Sequence, residues 1–126
     1  MKMILAIAAG GALGSVARHL MAVRITDWLG SGFPWGIFVV NILGGLILGV
    51  LVEMMALRWS PSGEWRAFVI VGILGGFTTF SSFSLDVVLL VERGDHMLAA
   101  LYIIGSVVLS VGALFGAMIL VRTVLA

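Results

Sequence analysis

Four long apolar segments, separated by short connections that carry charged or turn-forming residues, dominate this chain of 126 residues. They cover residues 3–23, 34–57, 67–91 and 97–121. A helix needs about 20 apolar residues to cross a hydrocarbon core of about 30 Å, so each segment is long enough to span a bilayer. The sequence therefore predicts an all-α membrane protein with a single domain, residues 1–126, built from four transmembrane helices.

The composition excludes most soluble functions. Hydrophobic residues make up 62% of the chain and charged residues 10%, whereas about 25% of an average soluble domain is charged. The formal net charge of +1 is too balanced for a surface that binds nucleic-acid phosphates. The chain has no cysteine, and no Ser/His/Asp set, carboxylate pair or phosphate-binding loop stands out. We therefore expect neither an enzyme nor a nucleic-acid partner.

The basic residues do not choose one orientation in the membrane. Short connections place both termini and the second loop on one face. The basic residues of that face are Lys2, Arg58, Arg66 and Arg122, and those of the opposite face are Arg18, Arg24 and Arg93. Because an excess of Lys and Arg normally sets orientation, this near balance predicts copies that insert both ways and pair as an antiparallel dimer. The alternative is that a real bias is hidden by uncertain helix ends.

The third segment is a poor continuous helix. Residues 72–84, GILGGFTTFSSFS, combine two adjacent glycines with five Ser or Thr residues near the expected middle of the membrane. Glycine weakens a helix interior by about 1 kcal/mol relative to alanine, and hydroxyls offer the backbone other hydrogen bonds. We predict a break between Gly75 and Thr79 whose carbonyls line a wet cavity or bind an ion. The alternative is a glycine hinge satisfied by the hydroxyls themselves.

Aromatic and polar side chains in these segments indicate a path for an anion. Phe77, Phe80 and Phe83 recur every three residues on one side, and the edge of a phenyl ring carries positive potential. Asn41 can donate two hydrogen bonds to an anion, although an interhelical clasp explains an amide there equally well. Arg18 is the strongest candidate for attracting an anion. Packing against lipid or protein is the alternative for the aromatic row.

These features together resemble the small bacterial fluoride channels, also called fluoride exporters. The resemblance covers essentially the whole chain. It is carried by GALGSVARH at residues 11–19, by WG at 35–36 followed by VNILG at 40–44, and most specifically by residues 72–84. It implies a channel in the bacterial inner membrane that passively exports cytoplasmic fluoride and so lowers its toxicity. His19 stands where an aromatic residue is frequent in that family, and Asp86 where a glutamate is common.

The resemblance also implies an assembly, a metal and a set of site residues. The assembly is a dual-topology antiparallel homodimer in membrane lipid, in which broken third helices cross at the centre. A structural sodium ion is held there by backbone carbonyls, which match Gly75 and Thr78 of each subunit, and oxygen ligands suit such a hard cation. The fluoride pathway matches side chains that offer ring edges, an amide or hydroxyls: Phe80, Phe83, Asn41, Ser81, Ser110 and Tyr102.

Two functions of other kinds compete with the channel. A small proton-coupled multidrug antiporter also has four short helices, but it uses a glutamate embedded in its first helix. Residues 3–23 of this chain contain no carboxylate, so the proton-binding group is missing. The second alternative is a membrane assembly subunit without transport activity, in which the Phe, Ser and Thr residues only pack.

Overall fold

The computed structural model describes residues 1–126, and all of the regular secondary structure is helical. Helix α1 is Lys2–Leu29 and α2 is Trp35–Leu57. The third span, Gly63–Glu92, is interrupted. Its first half, α3, joins an α-helical turn, a π-helix and a second α-helical turn: Gly63–Arg66, Ala67–Leu74 and Gly75–Phe77. Its second half, α4, is Ser81–Glu92, and α5 is His96–Leu125. The prediction of four helices able to span a membrane is confirmed.

Helix α1 extends well past the first predicted apolar segment, residues 3–23. Helix α1 continues to Leu29 and stops where Gly30 takes a φ of +88°. In its last turns the Arg24 guanidinium lies 6.0 Å from the ring centroid of Trp28. The charged residues that bound each apolar segment thus mark the edge of the hydrocarbon, while the helix itself continues into the headgroup region.

Glycines bring the backbones of α1 and α3 into direct contact. A side-chain carbon on Gly10 would overlap the Phe68 carbonyl oxygen, and one on Gly14 would overlap the carbonyl oxygen of Ile73. Helices α2 and α5 approach in the same way, since a side-chain carbon on Gly45 would lie 2.8 Å from the Ser110 carbonyl oxygen. Small residues permit this approach where lipid supplies no hydrophobic force between helices.

An ion pair joins the ends of α2 and α5. The Arg122 guanidinium donates to both carboxylate oxygens of Glu53, at 2.9 Å from Nε and 3.1 Å from Nη2. Glu53 is only 4% exposed. Next to this pair, Arg58 donates to the Leu125 carbonyl at 2.6 Å and 3.2 Å. Each of these three charged side chains therefore has a hydrogen-bond partner within the chain.

The third span is broken at residues 78–80, which overlap the carboxyl end of the predicted range, 75–79, and extend one residue past it. Gly75 and Gly76 remain helical, and Thr78 takes extended backbone with a ψ of 156°. Gly76 stays in the helix because it packs on α1, where a side-chain carbon would lie 2.7 Å from the Gly11 carbonyl oxygen. The break is therefore not a glycine hinge, and the cause of the interruption lies in the residues that follow.

Candidate ion-conducting site

Asn41 of α2 holds the break apart. Its Nδ2 donates to the Thr79 carbonyl at 3.0 Å, and the Thr79 N–H donates to its Oδ1 at 2.9 Å. In an uninterrupted helix the Thr79 N–H would donate to the Gly75 carbonyl instead. The amide of Asn41 therefore replaces one backbone hydrogen bond of the helix, and the Gly75 carbonyl loses its N–H donor.

The Thr79 hydroxyl starts the second half of the span. Thr79 Oγ1 accepts from the Ser82 N–H at 3.1 Å, which is the geometry of a helix N-cap. In a continuous helix that N–H would donate to the Thr78 carbonyl, so a second carbonyl is released. The Thr78 hydroxyl turns back and donates to the Leu74 carbonyl at 2.9 Å. The side chains that create the break are thus a threonine and an asparagine rather than the glycines.

Arg18 of α1 reaches the same segment from the other side. Its Nη1 donates to the Gly76 carbonyl at 2.8 Å and, more weakly, to the Thr78 carbonyl at 3.3 Å. The ion pairs of the chain are Arg93 with Asp95 and Arg122 with Glu53, so Arg18 has no carboxylate partner. Its positive charge therefore contacts only backbone carbonyls within the membrane-spanning region.

A cavity of about 590 Å³ lies between the break, α2 and α5 and is open on one side. Its lining contains no charged residue. Six of the residues predicted for the fluoride pathway or the sodium site meet there: Asn41, Gly75, Thr78, Phe80, Phe83 and Ser110. The fold thus gathers residues from three of the four spans around one uncharged space.

Two hydroxyls in this cavity are buried and have no hydrogen-bond partner. They belong to Ser106 and Ser110 of α5, and Ser106 is only 6% exposed. Serines in membrane helices often satisfy themselves on the carbonyl four residues earlier, which neither does here. Leaving a buried hydroxyl unpaired costs about 1–3 kcal/mol, and both hydroxyls are free to donate a hydrogen bond. Our sequence reasoning missed Ser106, although its spacing of four from Ser110 puts both on one helix face.

The aromatic row is divided by the break. Phe77 belongs to α3 and is buried, whereas Phe80 precedes α4 and is 78% exposed. The rings of Phe80 and Phe83 lie 5.4 Å apart and are inclined by 39°. The prediction that all three rings lie on one side is therefore wrong for Phe77, because the extended backbone at Thr78 changes the direction of the chain between Phe77 and Phe80. The other two rings remain adjacent at the cavity.

Three of the predicted residues lie outside the cavity lining. Tyr102 is completely buried beside Phe83, at 5.1 Å between ring centroids, and its hydroxyl donates to Asp86 Oδ2 at 2.9 Å. The hydroxyl of Ser81 is exposed and lies 3.2 Å from that of Thr79. Arg18 contacts the backbone of the break instead. The roles of all three in ion passage stay predictions.

Four membrane-spanning helices, three of which contribute to an uncharged cavity lined by rings and hydroxyls, define a small multi-pass membrane protein. The family model described as CrcB-like protein, Camphor Resistance (CrcB), matches residues 5–118, and the chain belongs to that family. It is a multi-pass protein of the bacterial inner membrane.

Relatives of known name match over nearly the full chain. The chain is 56% identical over 126 residues to the fluoride-specific ion channel FluC of Rhodospirillum centenum, with all of both chains covered. It is 54% identical over 121 residues to the protein of that name from Nitrobacter winogradskyi, covering 96% of each chain. With that from Agrobacterium fabrum it shares 51% over 116 residues, or 92% of this chain and 93% of the relative. The resemblance stated from the sequence is confirmed.

Proposed function

We propose that this protein is a fluoride-selective channel through which cytoplasmic fluoride leaves the cell passively. The observation that carries the proposal is the pair of buried, unpartnered hydroxyls of Ser106 and Ser110 in an uncharged cavity. Each is a free hydrogen-bond donor suited to an anion. The name shared by the relatives, fluoride-specific ion channel, supports the same function and gives no support to a multidrug antiporter.

The cavity offers donors without trapping the anion. Fluoride is small and strongly hydrated, so a pore must replace its water with other hydrogen-bond donors. Besides the serines, the Asn41 amide has two N–H donors, and one of them is used on Thr79. The edges of Phe80 and Phe83 add positive potential without a full charge. An interior-negative membrane supplies about 2.3 kcal/mol per 100 mV for each exported anion, which makes energy coupling unnecessary.

A second, oppositely inserted copy completes the pathway. The cavity of one chain is open on one side, and Phe80 stands there 78% exposed. The near balance of basic residues between the two faces favours insertion in both directions. An antiparallel homodimer would cover the open side and give two equivalent pathways related by the dimer axis.

The released carbonyls fit a structural sodium ion. Gly75 and Thr78 have both lost the N–H partners that a continuous helix would supply, and Gly75 is exposed at the surface of the chain. Carbonyl oxygens are hard ligands, and two chains would provide four of them. Bound there, sodium supplies a positive charge that compensates carbonyl dipoles gathered within the membrane.

Flux of individual halides from liposomes tests the proposed function. Purified protein is reconstituted into vesicles loaded with potassium fluoride or potassium chloride, and efflux is started with a potassium ionophore and followed with ion-selective electrodes. We expect rapid fluoride efflux and negligible chloride efflux. Equal passage of both halides would contradict selectivity. Inert vesicles would favour the assembly subunit, and proton-driven uptake of an organic cation would favour the antiporter.

A further inference from the structure

The position of Arg18 is set by the glycines that precede it on α1. Gly10, Gly14 and Arg18 are spaced by four residues and therefore lie on one face of the helix. The two glycines bring that face against the backbone of α3, where side-chain carbons would overlap carbonyl oxygens. One turn further along, the Arg18 side chain starts close enough to reach the end of α3.

The contacts of Arg18 lie at the carboxyl end of a half-helix. In a continuous helix the Gly76 carbonyl would accept from the Phe80 N–H and the Thr78 carbonyl from the Ser82 N–H. The break removes both donors, and Arg18 Nη1 stands at 2.8 Å and 3.3 Å from the two oxygens. A cation is stabilised at this end of a helix by the carbonyl dipoles.

We propose that Arg18 is a positioning residue, which caps the end of α3 from the side of α1 and so fixes the direction of the Thr78 carbonyl. Asn41 fixes the next residue, Thr79, from the side of α2. A carbonyl oxygen has two lone pairs, so Thr78 can accept from Arg18 and still face a cation. This inference rests on the proposed function, in which Thr78 is a sodium ligand.

The variant Arg18→Lys distinguishes a positioning role of Arg18 from simple attraction of anions. Arg18→Lys keeps the positive charge, but the ammonium is a point charge on a shorter stem and lacks the guanidinium group that reaches both carbonyls. If Arg18 only attracted fluoride, Arg18→Lys would conduct as well as the wild type. If it positions the break, Arg18→Lys and Arg18→Gln both lose function. Arg24→Gln is the matched control, because Arg24 lies on the same helix against Trp28 and donates to no carbonyl of the break.

The experiment uses the full-length protein and two measurements. Fluoride efflux from liposomes gives the rate, and the change in melting temperature when potassium is replaced by sodium reports the cation site without any ion flux. We expect efflux to fall roughly tenfold or more in both Arg18 variants, as for the loss of one charge-assisted hydrogen bond. We expect the sodium-dependent rise in melting temperature to be largely lost in Arg18→Lys and retained in Arg24→Gln.

Other results overturn the inference in distinguishable ways. Wild-type efflux together with a full sodium shift in Arg18→Lys would show that charge alone suffices. If sodium does not raise the melting temperature of the wild-type protein, no cation site depends on Thr78 and the inference is overturned. Absence of fluoride efflux from the wild type would instead refute the proposed function, and the sodium shift would then still decide whether Arg18 positions Thr78. Should Arg18→Gln fail to fold, the comparison of Arg18→Lys with the wild type decides.

Discussion

Polar groups have partners at the joined ends of α2 and α5, whereas several polar groups at the break in the third span have none. At the helix ends, Arg122 and Glu53 neutralise each other through two hydrogen bonds. At the break, two serine hydroxyls have no partner, and the Gly75 carbonyl has lost its helical donor. Both regions are built on helices that approach through glycines, so close packing alone does not distinguish them.

The difference separates groups that stabilise the fold from groups that await a ligand. In the pair of Glu53 and Arg122 each charge already has its partner, so loss of the pair affects stability. Buried groups without partners raise the free energy of the empty protein, and an ion that supplies the missing contacts is bound in return. We therefore expect changes at the break to alter ion flux and changes at the helix ends to alter stability.

Gly14→Ala should have the largest effect, because Gly14 supports the break through packing. The added carbon would overlap the Ile73 carbonyl oxygen and lie 2.9 Å from the Phe77 nitrogen. Overpacking against backbone costs about 1–3 kcal/mol, so both stability and flux should fall. Gly11→Ala is the matched control, since nothing lies within 4 Å of its added carbon. Size-exclusion profiles and melting temperatures in detergent measure the effect, and equal behaviour of the two variants would contradict it.

Asn41→Asp should reduce fluoride flux by roughly tenfold or more, the kinetic equivalent of a lost charge-assisted contact. A carboxylate still accepts from the Thr79 N–H but repels the Thr79 carbonyl, to which Nδ2 now donates at 3.0 Å. It also places an acceptor where an anion requires donors. Flux is measured at equal amounts of folded protein. Glu53→Gln changes a charge in the same helix outside the cavity and serves as the control. Wild-type flux in Asn41→Asp would remove Asn41 from both roles.

Phe80→Ile should slow fluoride efflux without unfolding the protein. The ring edge is lost while an apolar side chain remains, and a contact of about 0.5–1.5 kcal/mol corresponds to a reduction of roughly 2- to 12-fold. Phe115→Ile is the control, because Phe115 is an exposed phenylalanine of α5 outside the cavity lining. If both variants conduct like the wild type, the ring of Phe80 serves packing only.

Arg122→Gln should have the smallest effect on transport. It leaves the buried Glu53 carboxylate without its partner, so the melting temperature should fall. Adding Glu53→Gln to this variant removes the orphaned charge and should restore much of the lost stability. Fluoride flux and selectivity per folded protein should match the wild type in both. A change in halide selectivity would show that the helix ends belong to the conducting region after all.

The spans and the existence of a break could be predicted from the sequence, because hydrophobic length and clustered Gly, Ser and Thr act locally along the chain. The identity of the groups that make the break could not. Gly76 is required for packing on α1 and stays helical, whereas Asn41, far away in sequence, takes the N–H of Thr79. A contact of this kind depends on how two helices meet, which residue spacing along one helix does not specify.

Several residues of the cavity could be predicted from the sequence, but the contacts of Arg18 could not. Asn41, Phe80, Phe83 and Ser110 were expected on the pathway and do line one space. Arg18 was expected to attract an anion, but the sequence held no sign that its nearest partners are backbone carbonyls. That geometry follows from the glycine contacts between α1 and α3, which become visible only when both backbones are placed.

The π-helix Ala67–Leu74 determines how the third span tolerates changes in its number of residues. Each of its wide turns takes up more residues than an α-helical turn, as happens when a residue is inserted into an α-helix and absorbed locally. If one residue is deleted from this stretch, the chain can adopt a regular α-helix. If one residue is added, no regular helix accommodates it. Variation in length between the Trp65 end of the span and Gly75 should therefore be one-sided, with deletions tolerated far better than insertions.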